Sequence, residues 1–189
     1  ANCRTRQVTL TQNPWPMMPR LHRGWRARQK AWLQRRTFRA AMQRAAAMAF
    51  NSQFMQELYR RLAGGPARGH EIIAYQGVDD ARLDEAIRRR DTRLKIPGRI
   101  LAVSAMAYWK GIETLVAALP KVQRQCPAAH LFLVGPWPDA AYRARIDAEI
   151  ARRGVADSVV ITGQVSRETL DEHYCQARVF SLMSWCESF

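Results

Sequence analysis

Arg99-Ile-Leu-Ala-Val103 and His130-Leu-Phe-Leu-Val134 are short, largely apolar runs, and Ser158-Val-Val-Ile161 and Arg178-Val-Phe-Ser-Leu182 repeat the pattern further along. Each reads as a buried strand, too short for a helix and rich in β-branched or aromatic residues. Between them the period changes. Ile112, Leu115, Val116 and Leu119 fall at i, i+3, i+4 and i+7, Tyr142, Ile146 and Ile150 recur every fourth residue, and Leu170 and Tyr174 follow a Ser166 N-cap. Strands separated by helix-length crossovers pair in parallel and form right-handed βαβ units. The spacing therefore predicts α/β class, with a doubly wound layer over residues 98–189. Ligands of such sheets bind outside the carboxyl ends of the strands. Residues 104–110, 135–139, 163–166 and 184–189 are thus expected on one rim.

Working outward, the first 70 residues differ in charge. They carry 14 Lys or Arg and a single acid, Glu57, whereas residues 71–189 carry 16 against 15. Local basicity of this kind predicts a surface that meets an anionic partner. Val8-Thr-Leu10 reads as the end of a strand. Residues 20–47 read as a helix with a dense cationic face and interleaved Leu21, Trp25, Trp32, Phe38 and Met42. Asn51 or Ser52 caps a second helix with Phe54, Leu58 and Leu62 inward, and Ala63-Gly-Gly-Pro66 ends it. Glu71-Ile-Ile-Ala-Tyr75 reads as a further strand. The charged, Pro-bounded stretch 80–97 reads as an interdomain connection, between a first domain over 1–79 and a second over 98–189.

Several candidate residues lie at the expected rim. Lys110-Gly111 opens a helix, where a lysine can neutralise a phosphate and free N–H groups can cradle it; a solvated lysine before a glycine turn fits as well. Glu187 follows the fourth strand, where a carboxylate can accept from sugar hydroxyls or stabilise an oxocarbenium-like transition state; it could equally cap a following helix. Gly135 and Gly163 start strand-to-helix turns and permit close backbone approach to a ligand. No G-x-G-x-x-G or G-x-x-x-x-G-K-[ST] occurs, which disfavours dinucleotide oxidoreductases and P-loop enzymes. The histidines (His22, His70, His130, His173) lack metal-ligand spacing, so neither metal nor cofactor is expected. Cys3, Cys126, Cys175 and Cys186 show no close pairing, which points to a reducing, cytoplasmic setting. No run approaches the ~20 apolar residues of a membrane span. In residues 20–39, cations mixed with Trp suit an anionic membrane surface, where Trp sits at headgroup level. The same mixture suits a solvated or covered helix face, or nucleic acid; the membrane is the partner expected and nucleic acid is not.

Taken in order, the motifs resemble a known family. Ile100-Leu-Ala-Val-Ser104, Tyr108-Trp-Lys-Gly-Ile112, Leu131-Phe-Leu-Val-Gly135, Val160-Ile-Thr-Gly163 with Val165, and Val179-Phe-Ser-Leu182 leading to Glu187-Ser-Phe189 resemble the group 1 (family 4) retaining glycosyltransferases of the GT-B fold. Asn51-Ser-Gln-Phe-Met55 is similar to that family's helix start, Gln76-Gly-Val-Asp79 to its strand end before the linker, and Thr11-Gln-Asn13 to a short acceptor-domain loop. The resemblance implies two Rossmann-type domains facing a cleft, both incomplete here, a nucleoside diphosphate sugar as donor substrate, and transfer with retention to a lipid-linked or polysaccharide glycan. It implies Lys110 on the donor diphosphate, Glu187 as catalytic residue at the donor sugar, and the backbone of Gly163, Gln164 and Val165 beside the base. Gly111, Gly135, Ser188 and Phe189 complete the implied donor-binding set. The second glutamate of the family's Glu-x7-Glu motif would fall beyond Phe189. Ala105 stands where the family often has a second diphosphate-binding arginine, and losing that guanidinium weakens diphosphate binding. The chain is accordingly expected to be inactive alone, and the whole enzyme to work in the cytoplasm, peripherally on the inner membrane face. Without the resemblance, a non-catalytic basic α/β module for nucleic acid or anionic lipid remains the other class.

Overall fold

In the computed structural model, residues 6–77, 79–90 and 95–188 are described. The chain divides into two compact units, Ala1–Gly77 with Cys186–Phe189, and Val78–Trp185.

The first unit holds strand β1 (Val8–Thr11), helix α1 (Gly24–Arg44), strand β2 (Ala47–Phe50), helix α2 (Gln53–Ala63) and strand β3 (His70–Ile73), paired in parallel in the order β1-β2-β3. Two corrections to the expected helix over 20–47 follow. Its start is Gly24, because Pro16 and Pro19 bend residues 15–21 into two 3-10 turns. Its end is Arg44, because residues 47–50 form the central strand of the sheet. Ala45-Ala-Ala-Met-Ala favours helix by propensity, but the backbone bonds from Ala46 N to Gln7 O (2.9 Å) and from His70 N to Ala46 O (2.9 Å) draw it into the sheet.

Ser52 caps α2 by accepting from Met55 N at 3.1 Å, and Gly64 ends it in the left-handed region at φ 80°. The buried stripe is rotated by one residue from the expectation. Met55 and Tyr59 are fully buried, Phe54 is 48% exposed, and Leu58 and Leu62 lie at the margin. Residues 54, 55, 58, 59 and 62 are all apolar, so spacing alone does not choose between the two phases. Met42, Ala45, Met48, Phe50, Met55 and Tyr59 form the core of this unit. Behind it, Glu71 accepts from Gln56 Nε2 (2.8 Å), Ala67 N (2.7 Å) and Arg60, locking the turn between α2 and β3.

The second unit starts with helix α3 (Asp80–Arg90), within the segment read as a connection; residues 91–94 of that segment and Val78 lie outside the described residues. Then come β4 (Arg99–Val103), α4 (Ile112–Gln123), β5 (His130–Val134), α5 (Ala140–Arg153), β6 (Val159–Gly163), α6 (Arg167–Gln176) and β7 (Val179–Phe180). The strands are all parallel, in the order β6-β5-β4-β7. Asp139 caps α5 and Ser166 caps α6, through Tyr142 N and Thr169 N. Apolar spacing is realised on α4 and α5, where Ile112, Val116, Leu119, Tyr142, Ile146 and Ile150 join Leu131 and Leu133 in one cluster. Leu101, Val134 and Ala177 form a second cluster, joined by Leu170. On α6 the inward partner of Leu170 is His173, while Tyr174 is 42% exposed. The fourth strand is shorter than its apolar run, because beyond Phe180 the chain peels away after Ser181 N bonds Leu101 O at 2.8 Å.

Candidate functional site

The strand order locates the site. From β4 the chain steps outward through β5 to β6, then returns to lay β7 on the other side of β4. Crossovers on either side of β4 diverge, which opens a crevice at the carboxyl ends of β4 and β7.

The loop after β4 is held rigidly there. Ser104 N bonds Val134 O (3.2 Å), Met106 N bonds Pro136 O (2.8 Å), and residues Tyr108–Lys110 form a 3-10 turn closed by Lys110 N on Ala107 O (2.8 Å). Trp185 N bonds Trp109 O at 2.8 Å, so the loops after β4 and β7 are tied at the crevice. Gly111 then takes φ 67°, and a Cβ there would lie 2.3 Å from Met183 O. Glycine at 111 is thus doubly required, by its left-handed backbone and by the loop packed on it. It leads into α4, which starts with no side-chain cap and offers the positive end of its dipole beside Lys110.

In the first turn of α4, Glu113 accepts from Tyr142 Oη at 2.6 Å and pairs with Arg145, fastening α4 to α5. Burial, and then the Glu113 carboxylate, push the Tyr142 phenol well above its ordinary pKa. At the foot of the same sheet Arg99 stacks on Phe132 at 3.8 Å and bonds His173 Nδ1 at 2.9 Å. Burial, then the Arg99 charge, lower the His173 pKa.

Lys110, Gly111, Gly135, Gly163, Gln164 and Val165 all fall on the C-terminal rim of the second sheet. Their surroundings differ. A Cβ on Gly135 would lie 1.9 Å from Ser104 O, and its amide bonds Gly163 O at 2.8 Å, so this glycine serves close packing of neighbouring strand ends. Gly163, at φ 70°, faces open space, Gln164 is exposed, and Val165 packs on the second cluster. Ala105 is exposed beside them. Glu187 and Ser188 group with the first unit, and Phe189 lies outside the described residues. There Ser188 Oγ accepts from Asn51 Nδ2 at 2.9 Å, and Ser188 O accepts from Ser52 Oγ. Residue pattern gave no warning of this contact, since Asn51-Ser52 reads only as a cap. Nor did it flag Trp137 Nε1 and Ser184 Oγ, which are buried in rim loops without hydrogen-bond partners. Among the described residues no cluster of His, Cys, Asp or Glu could hold a metal ion, and no helix is long and apolar enough to cross a membrane.

Two parallel α/β units, the second with a switch-point rim, define the GT-B class of architecture. Residues 97–189 match the family described as glycosyl transferases group 1. Among curated proteins it is similar to the GDP-mannose-dependent alpha-(1-6)-phosphatidylinositol monomannoside mannosyltransferase of Mycobacterium tuberculosis, 34% identical over 125 residues, covering 64% of this chain and 31% of the relative. A glycogen synthase of the same organism is 34% identical over 71 residues, covering 38% of this chain and 16% of that protein. Among solved structures, sucrose-phosphate synthase from Thermosynechococcus elongatus superposes with a TM-score of 0.71 at 24% identity, over 96% of this chain and 45% of that one. The Anabaena protein HepE in complex with UDP and glucose gives 0.68 at 20% identity, over 98% and 48%. The chain therefore spans about a third of the mannosyltransferase's length, about a sixth of the glycogen synthase's and under half of these structures.

Proposed function

We propose that the whole protein transfers a hexosyl group from a nucleoside diphosphate sugar to a glycan or lipid-linked acceptor, with retention at the anomeric carbon. The observation that carries this reading is Lys110-Gly111, pinned at the uncapped start of α4 on the switch-point rim. Lys110 and the α4 dipole neutralise the diphosphate, and that charge grows as the anomeric C–O bond breaks and the nucleoside diphosphate departs. In this reading they do so without a metal ion, and with no arginine at Ala105. Glu187 accepts from the donor sugar's hydroxyls and offsets positive charge on the anomeric carbon. Gly163, Gln164 and Val165 border the base, while Gly111, Gly135, Ser188 and Phe189 shape the donor pocket. The relatives that are GDP-mannose-dependent make GDP-mannose the first donor to test, with UDP-glucose second.

The same proposal places the enzyme peripherally on the cytoplasmic membrane face. On α1, Trp25, Trp32 and Leu33 are 64%, 49% and 56% exposed, with Arg26 and Arg36 stacked on the two indoles. Exposed Trp and Leu beside cations suit an anionic headgroup layer. Arg35 and Arg39 are committed to Pro16 O and Leu62 O, so Arg26, Arg28, Lys30 and Arg36 are the cations assigned to lipid.

Calorimetric titration of the full-length protein with GDP-mannose and UDP-glucose, alongside product anomer analysis by NMR, tests the reading. Binding of one donor and a product of unchanged anomeric configuration are expected. Failure of both donors to bind, or an inverted product, overturns it. The isolated 189-residue chain is expected to show no turnover; steady transfer by it contradicts that part.

A further inference from the structure

We propose that Asn51 and Ser52 are positioning residues for the carboxylate-bearing segment 186–188, an inference that rests on the role assigned to Glu187 above. Asn51 follows the last residue of β2 and is 2% exposed. Its Nδ2 donates to Ser188 Oγ at 2.9 Å, while its Oδ1 is buried without a partner. Ser52 Oγ accepts from Met55 N at 3.1 Å and spends its only proton on Ser188 O. One hydroxyl therefore both caps α2 and holds the main chain next to Glu187. Two bonds, one to the side chain and one to the carbonyl of the same residue, fix Ser188 in position and orientation. A carboxylate one residue away inherits that placement, and misplacement by about 1 Å at a reacting centre costs up to ~100-fold in rate.

Asn51 is a poor choice for stability alone. A buried amide oxygen without a partner is destabilising, and an apolar residue of similar shape removes that penalty. Stability and positioning therefore predict opposite results for Asn51→Leu. If Asn51 serves the fold, the melting temperature falls. If it serves placement, the melting temperature holds or rises while segment 186–188 loosens.

The test uses the full-length protein with Asn51→Leu, Ser52→Asp and Ser52→Thr. Aspartate keeps the α2 cap but cannot donate to Ser188 O, whereas threonine keeps both functions. The first two variants are expected to raise deuterium exchange at amides 186–188 at least tenfold and, with GDP-mannose or UDP-glucose, to lower kcat about tenfold with donor KM unchanged. Ser52→Thr is expected to match the parent. Parental exchange in both Asn51→Leu and Ser52→Asp overturns the clamp whatever the activity. Loosened exchange with undiminished kcat overturns its role in placement. Loosened exchange in a protein whose parent transfers neither sugar sustains the clamp and sinks the transferase reading instead.

Discussion

The two sheets share strand direction and connection type, yet they are covered differently. In the second unit, β4 and β5 are buried on both faces: Leu101, Leu131, Leu133 and Val134 are each at most 1% exposed, and they divide between two clusters. In the first unit a single cluster covers the sheet, and Val8, Leu10 and Ile72 are 68%, 55% and 49% exposed. The difference teaches that a parallel sheet's stability comes from its covering layers, since the ladder bonds are alike in both. Among the described residues the second sheet is packed by two clusters and the first by one, with Glu71 latching the turn beside it.

That contrast can be broken by mutation. The largest expected effect is at Leu133, where truncation to Ala opens a cavity in a filled cluster and costs about 3–4 kcal/mol, read by urea unfolding. Glu71→Gln comes next, at about 2 kcal/mol at neutral pH, because it removes a charged acceptor shared by Arg60, Gln56 and Ala67 N. Burial alone would raise the Glu71 pKa, but those donors outweigh it and the net shift is downward from 4.5. Its contribution is thus full above pH 4.5 and lost as pH falls through the lower folded value. A wild-type to Glu71→Gln gap that stays constant down to pH 2 would contradict this.

Lys110→Ala is expected to weaken nucleotide-sugar binding about 10- to 30-fold, or ~1.4–2 kcal/mol, with an unchanged melting temperature. Equal affinity in calorimetry would remove Lys110 from the donor site. At His173 the effect is smaller. Its folded pKa is depressed below 6.5, so the unfolded chain binds more protons and stability declines as pH drops below 6.5. His173→Gln keeps an acceptor for Arg99 and should flatten the melting-temperature profile between pH 7 and 5. The smallest change is at the bare sheet: Leu10→Ala should cost under about 0.5 kcal/mol. A loss matching that of Leu133→Ala would show that the first sheet's open face is covered in solution.

The covered unit was also the more legible one. Its strands are continuous apolar runs and its helices repeat at i, i+3, i+4, so local pattern and burial agree at Ile112, Val116, Ile146 and Leu133. Agreement fails where local preference is overridden or undecided. Ala45-Ala-Ala-Met-Ala favours helix, yet pairing with residues 7 and 70 makes it a strand. On α2, Phe54 and Met55 compete for the same inward place, and burial under the sheet decides. The rim was legible as a set of strand ends at residues 104–110, 135–139 and 163–166, where topology dictates it, whereas residues 186–188 group with the first unit. Which glycine meets a ligand and which meets its own backbone was not: Gly135 closes on Ser104, a contact set by strand spacing. The bond between Asn51 and Ser188 joins residues 137 positions apart and leaves no periodic trace.

The order β6-β5-β4-β7 also has a consequence in time. During synthesis the amino-terminal strands emerge first. β4 finds β5, and β5 finds β6, while the side of β4 that borders the crevice is still empty. The wall supplied by β7, and the Trp185 amide that ties the two loops, arrive only when residues 179–185 leave the ribosome. A nascent chain of this protein therefore pairs β4, β5 and β6 before it owns a ligand crevice, and arrest before Val179 leaves the former without the latter.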